Sequence, residues 1–142
     1  MTALGDAWQA ALAAEHQAVF GYGLLGPRAG DDTALAAADQ GAHERLRDAT
    51  SAALLAAGLA PVAPAADYPA LYPVGDQAAA RRLALRLEDG CAVAWRYLFL
   101  QAAGRPSLRR VAQANLTASA VRAVHWRRLV DPRHPAPAFP GL

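Results

Sequence analysis

Four ionisable side chains, one in each of four apolar helical stretches, are the residues of this sequence best placed to do chemistry. They are Glu15, His43, Glu88 and Arg122. Each falls inside the apolar stripe when the residues are placed on a helical wheel. Acidic residues and arginine are almost never fully buried unless they are paired, because an isolated buried charge is costly. The pattern therefore predicts that these side chains meet in one buried polar layer.

Three further polar residues lie on or beside the same stripes and are predicted to join this layer. Gln40 precedes His43 by three residues, and Arg122 precedes His125 by three residues, so that each pair shares one face of its helix. Asn115 lies on the stripe that contains Arg122. The complete predicted cluster is Glu15, Gln40, His43, Glu88, Asn115, Arg122 and His125.

Carboxylates and imidazoles at these positions correspond in part to a two-metal site. Ferritin-like di-metal bundles supply one glutamate from each of two helices and a Glu-x-x-His pair from each of the other two. Both lone glutamates and both histidines are present here, but Gln40 and Arg122 stand where the other two glutamates would be. Iron and manganese need the missing carboxylates, and the permanent charge of Arg122 would occupy the place of a metal.

We therefore predict no metal cofactor, and a cluster in which Arg122 bridges Glu15 and Glu88. A guanidinium can donate to two carboxylates at once, and His43, Gln40 and Asn115 would complete the hydrogen bonds. The alternative is an iron or manganese site of one or two ions. Its ligands would be Glu15, His43, Glu88 and His125.

Four helices separated by glycine or proline are predicted to position these side chains, at residues 3–25, 33–57, 77–103 and 107–130. The link 58–75 is long and rich in proline and alanine. Eighteen extended residues reach roughly 55 Å, whereas a helix of 25 residues is only about 38 Å long. The link can therefore span the bundle, joining two antiparallel hairpins by one crossover, with an extended tail at 131–142. We predict a single all-α domain, a ferritin-like four-helix bundle.

The chain also resembles a known family over nearly its whole length. The resemblance rests on the segments 13–16, 42–48, 87–90 and 138–142, which include Glu15, His43 and Glu88. The family is bacterial and ferritin-like, and is catalogued only as a domain of unknown function, number 4439. Membership implies a ferritin-like bundle and implies no known reaction, substrate or ligand.

Composition limits the partners. The 142 residues are 54% hydrophobic and carry a net charge of only +2, and the arginines are scattered, which argues against nucleic-acid binding. No apolar run is long enough to span a membrane, and the acidic N-terminus does not look like a secretory signal, so a cytoplasmic location is predicted.

Some apolar side chains lie outside the predicted core of the bundle, including Phe20, Leu24 and those at 97–100. Such exposed apolar patches favour a homodimer.

These observations favour a helical bundle protein of unassigned activity that is not an enzyme. A glycine-rich phosphate loop and a Gly-x-Ser-x-Gly motif are both missing from the sequence. The competing hypothesis is a metal-dependent oxidoreductase or a metal-handling protein that uses the four alternative ligands.

Overall fold

Four α-helices form the body of the protein in the computed structural model, which describes residues 2–142. Helix α1 spans Ala3–Leu25, α2 Thr33–Ala56, α3 Gln77–Gln101 and α4 Pro106–Val130. These residues contain no β-strand. The predicted bounds of the first helix equal the observed ones, and those of the other three depart from them by at most two residues. The all-α prediction is confirmed.

Local signals explain where the helices begin and end. The Thr2 hydroxyl accepts a hydrogen bond from the Gly5 amide, and the Asp76 carboxylate accepts one from the Ala79 amide, which caps α1 and α3. Helix α2 ends at Ala56 and is followed two residues later by Gly58, whose φ of +77° suits glycine. The amide of Leu59 then bonds back to the carbonyl of Leu54, as expected when a glycine in this conformation terminates a helix.

The link after α2 runs along α1 toward the far end of the bundle. The Gln9 side chain holds its beginning, donating to the Ala60 carbonyl at 2.7 Å and accepting from the Val62 amide at 2.8 Å. Farther along α1, the ring of Phe20 packs against Tyr68 at a centroid distance of 5.0 Å. The link therefore starts beside the first half of α1 and ends beside its second half.

This path fixes the topology. Helix α3 begins near the turn that follows α1, where the Gln77 amide donates to the Ala29 carbonyl at 3.0 Å and Arg81 pairs with Asp32. Helices α1 and α3 are therefore antiparallel neighbours, and the hairpins α1–α2 and α3–α4 are joined by one crossover. The predicted arrangement of the four-helix bundle is confirmed.

The core has two apolar regions, one toward each end of the bundle, with a polar layer between them. One region is centred on Trp8, Leu12, Trp95 and Leu98. The other gathers Leu25 and Leu83 together with the buried rings of Tyr22 and Trp126. Because Glu15, His43 and Glu88 come from the middle of their helices, they lie between these two regions.

The crossover and the tail cover parts of the surface. Phe20 contacts the rings of both Tyr68 and Tyr72, so the crossover already shields one of the apolar patches that favoured a dimer. The tail lies on α3, where the backbone of Gly141 passes so close that a Cβ would be 2.8 Å from the carbonyl oxygen of Ala92. Within residues 2–142, no helix is both long and apolar enough to cross a bilayer.

Candidate functional site

One polar side chain from each helix meets at the centre of the bundle. Glu15, His43 and Glu88 are fully buried, and the side chain of Arg122 is 14% exposed. These are the four residues that the apolar stripes singled out. The structure thus brings together one side chain from each helix, and all four form a single hydrogen-bonded chain.

His43 stands at the middle of this chain. Its Nδ1 lies 2.5 Å from Oε2 of Glu15, and its Nε2 lies 2.8 Å from Oε1 of Glu88. Arg122 is attached at the far end, where its Nε donates to Oε2 of Glu88 at 3.0 Å. Its Nη2 donates to the hydroxyl of Ser119 at 3.3 Å. We call the chain Glu15–His43–Glu88–Arg122 the ionic chain.

The predicted bridge from Arg122 to both glutamates is wrong. His43, and not Arg122, joins Glu15 to Glu88. Both oxygens of Glu15 already have partners, since Oε2 faces His43 and Oε1 accepts a hydrogen bond from the Trp95 indole at 2.7 Å. A buried carboxylate with both oxygens occupied has no need of a guanidinium.

Aromatic side chains complete the hydrogen bonding, and the sequence analysis missed them. The Tyr22 hydroxyl donates to Oε1 of Glu88 at 2.6 Å. The Trp126 indole donates to the buried carboxylate of Asp39 at 2.8 Å, as the Trp95 indole does to Glu15. A buried tryptophan or tyrosine usually finds a partner for its N–H or O–H. That rule, applied to aromatic residues on the same stripes as the glutamates, could have identified these donors.

The other three predicted members lie elsewhere. His125 is exposed, so its placement in the buried cluster is wrong. Helix α4 buries Ser119, Ala123 and Trp126, and the side chain one residue before Trp126 is turned toward solvent. Gln40 and Asn115 are half-buried, and within residues 2–142 no hydrogen bond joins either of them to the ionic chain.

The two carboxylates and two bases of the ionic chain balance one another. Burial alone would lower the pKa of His43, but the hydrogen bonds and charges of Glu15 and Glu88 outweigh it and raise this pKa from 6.5 to about 9. Burial would raise the pKa of Glu88, and His43 and Arg122 together lower it below its usual range. At neutral pH, His43 and Arg122 are therefore cations that offset two carboxylates.

The Tyr22 hydroxyl and the Cys91 thiol beside the ionic chain are held in their neutral forms. Burial raises the pKa of the Tyr22 hydroxyl and of the Cys91 thiol well above their usual values, and the nearby carboxylates reinforce both effects. Burial also raises the pKa of Asp39, although the Trp126 hydrogen bond opposes this.

The residues present do not fit the two-metal site of ferritin-like oxidoreductases. Both ring nitrogens of His43 face carboxylates, Arg122 places a permanent cation on Glu88, and His125 is turned to solvent. The alternative ligand set of Glu15, His43, Glu88 and His125 is therefore not assembled. A pair of hard cations would find the carboxylates of Glu15 and Glu88 already paired, with an arginine beside one of them.

Fold and site together define a class of protein: a four-helix bundle with two hairpins, a long crossover and a buried ionic chain that links all four helices. Within that class, the chain belongs to the family described as "Domain of unknown function (DUF4439)", whose model matches residues 7–142. The family resemblance noted in the sequence is confirmed at this level.

A solved structure supports the same assignment. The chain is 34% identical to a conserved hypothetical protein, rv2844, from Mycobacterium tuberculosis. The match covers 89% of this chain and 96% of that one, with a TM-score of 0.84. No functionally curated protein matches the sequence.

The raised pKa of His43 makes stability depend on pH. The pKa of His43 is about 9 in the folded protein and 6.5 in the unfolded chain, so the folded protein holds the proton more tightly. This stabilisation is complete below pH 6.5 and is lost as pH rises through 9. We expect the free energy of unfolding, measured by urea denaturation, to fall by about 2 kcal/mol between pH 6 and pH 8. The control variant His125→Gln should show the same fall. A free energy of unfolding that does not change with pH over this range would contradict a protonated His43.

Replacing Arg122 should strongly destabilise the protein. Arg122→Met removes one of the two cations and leaves Glu88 with His43 and Tyr22 alone. Removing one member of a buried pair costs roughly 3 kcal/mol or more. Arg110→Met, on the exposed face of the same helix, should change the stability by less than about 0.5 kcal/mol. Chemical denaturation of both variants tests this, and a loss under about 1 kcal/mol for Arg122→Met would show that the pair behaves as an exposed one.

Proposed function

We propose that this protein is a ferritin-like bundle that is not an enzyme, in which an ionic chain has taken the place of the two metals. One observation carries the proposal: His43 lies between the carboxylates of Glu15 and Glu88, and Arg122 pairs with Glu88. With the raised pKa of His43, these two bases set two positive charges against the two carboxylates. In a two-metal site the metal ions would supply the opposing charge. Here side chains supply it, so the bundle can be stable without bound iron or manganese.

The ionic chain would serve to hold the helices in register. Its contacts pass from α1 to α2, from α2 to α3, and from α3 to α4. Sliding one helix along another would break at least one of these contacts and leave a buried charge without a partner. The function that follows is that of a rigid helical scaffold whose surface, and not its centre, meets other molecules.

The origin and location of the protein are part of this proposal. The similarity to a protein of Mycobacterium tuberculosis supports a bacterial source. The single cysteine, Cys91, is a free and buried thiol, as is common in reducing compartments. We propose that the protein acts in the cytoplasm.

Metal analysis tests the central claim. Protein produced with iron and manganese in excess should contain well under one equivalent of either metal, because two of the four required carboxylates are missing and Arg122 repels a cation. Adding either metal should leave the melting temperature unchanged. Two equivalents of iron or manganese, measured by elemental analysis, would restore the oxidoreductase hypothesis.

We also propose that the protein forms a homodimer through α3. Val93, Tyr97 and Leu100 are 50%, 40% and 54% exposed and follow one another at helical spacing, so they form one apolar stripe. A two-fold axis would place this stripe against its copy. The crossover does not cover it, in contrast to Phe20.

Light scattering tests the dimer. The protein should be dimeric at micromolar concentration, and Leu100→Glu should shift it to the monomer because the variant places a charge in an apolar interface. Val130→Glu, at the end of α4, is the matched control and should remain dimeric. A monomer at high micromolar concentration would overturn the proposal.

A further inference from the structure

Cys91 approaches the ionic chain from α3 and is not used by it. Its thiol sulfur, a carboxylate oxygen of Glu15 and a ring nitrogen of His43 all lie within 4.8 Å of one another. The three residues come from three different helices and are all buried. They bring together one sulfur, one nitrogen and one oxygen ligand, a combination typical of zinc and not of iron or manganese pairs.

Outer hydrogen bonds already hold the side chains of His43 and Glu15, as such bonds do around many bound metals. The Nε2 atom of His43 faces Glu88, so that Nδ1 is the nitrogen directed toward Glu15. The other oxygen of Glu15 accepts a hydrogen bond from Trp95. Metal-binding histidines and carboxylates are commonly held in this way by outer partners, which fix the ring orientation and the tautomer.

A cavity of about 250 Å³ gives access to the cysteine. It lies beneath the crossover and is lined by Ala14, Gln17, Leu71, Leu87 and Cys91 among others. Cys91 is one of the lining residues, whereas Glu15 and His43 are not. An ion that enters through this cavity would therefore reach Cys91 before the other two ligands.

We propose that Glu15, His43 and Cys91 bind a single thiophilic divalent cation of the zinc class. The ion coordinates the Cys91 sulfur, Nδ1 of His43 and a carboxylate oxygen of Glu15, and a water molecule fills the fourth position. The Nε2–H of His43 continues to donate to Glu88. This site shares Glu15 and His43 with the alternative ligand set, but it needs neither the missing carboxylates nor His125, so it does not require a two-metal site.

The exchange conserves charge, which is why a buried site can accept the ion. A metal takes a thiolate and an unprotonated imidazole nitrogen as ligands, so binding requires loss of the protons on the Cys91 sulfur and on Nδ1 of His43. On binding, the Nδ1 proton and the thiol proton leave, so one divalent cation replaces two protons. The net charge of the centre therefore does not change.

Titration with Co²⁺, a spectroscopic probe for zinc sites, tests the proposal. The purified full-length protein should bind one equivalent and develop the near-ultraviolet absorption of a cobalt–thiolate bond. Zn²⁺ should displace the Co²⁺ and remove this band. Cys91→Ser should abolish the band and weaken binding by more than the roughly 10- to 100-fold that loss of an outer partner costs. His125→Gln, a variant at an exposed histidine, should bind as the unmodified protein does.

Two outcomes would overturn the proposal. One is failure of the folded protein to bind Co²⁺, and the other is binding that Cys91→Ser leaves unchanged. Circular dichroism establishes that the variant is folded. If it is not, alkylation of Cys91 in the unmodified protein replaces the variant: one equivalent of Zn²⁺ should slow the reaction at least tenfold, and an unchanged rate would refute the site. Neither result alters the iron and manganese analysis, so the two proposals can fail separately.

Discussion

The contact of His43 with two buried carboxylates is the interaction on which the rest of the structure depends. Glu15 and Glu88 are fully buried on neighbouring helices and would repel one another without a cation between them. The imidazole fills that place and is held protonated by the same carboxylates. Arg122 then supplies the second positive charge. Because each helix contributes one member, charge balance in the core requires all four helices to be correctly placed at once.

The fold could be predicted from the sequence to a large extent, because its signals are local. Caps at Thr2 and Asp76, the glycine at Gly58 and the apolar periodicity determine the helices within one or two residues. The length of the link in relation to a helix then determines the topology. Glu15, His43 and Glu88 could be placed in the core for the same reason, since each lies inside an apolar stripe.

The pairing within the site could not be predicted in the same way. A helical wheel gives the direction of a side chain only to within about one residue position. The apolar stripe of α4 predicts both Arg122 and His125 in the buried layer, yet Arg122 reaches Glu88 whereas His125 faces solvent. The partners of Glu15 depend on how far α1 and α3 are shifted along each other, which brings Trp95 to its second oxygen. Distances between helices are set by packing over the whole bundle.

The order of charges along the chain shows an internal repetition. In each hairpin the first helix carries the carboxylate and the second helix the base, as Glu15 and His43 in one and Glu88 and Arg122 in the other. The partners are 28 and 34 residues apart. Each pair therefore sets one carboxylate against one base, and within the ionic chain the contact between Nε2 of His43 and Glu88 joins the two hairpins. The order of charges in the first hairpin is thus repeated in the second, on the other side of the crossover.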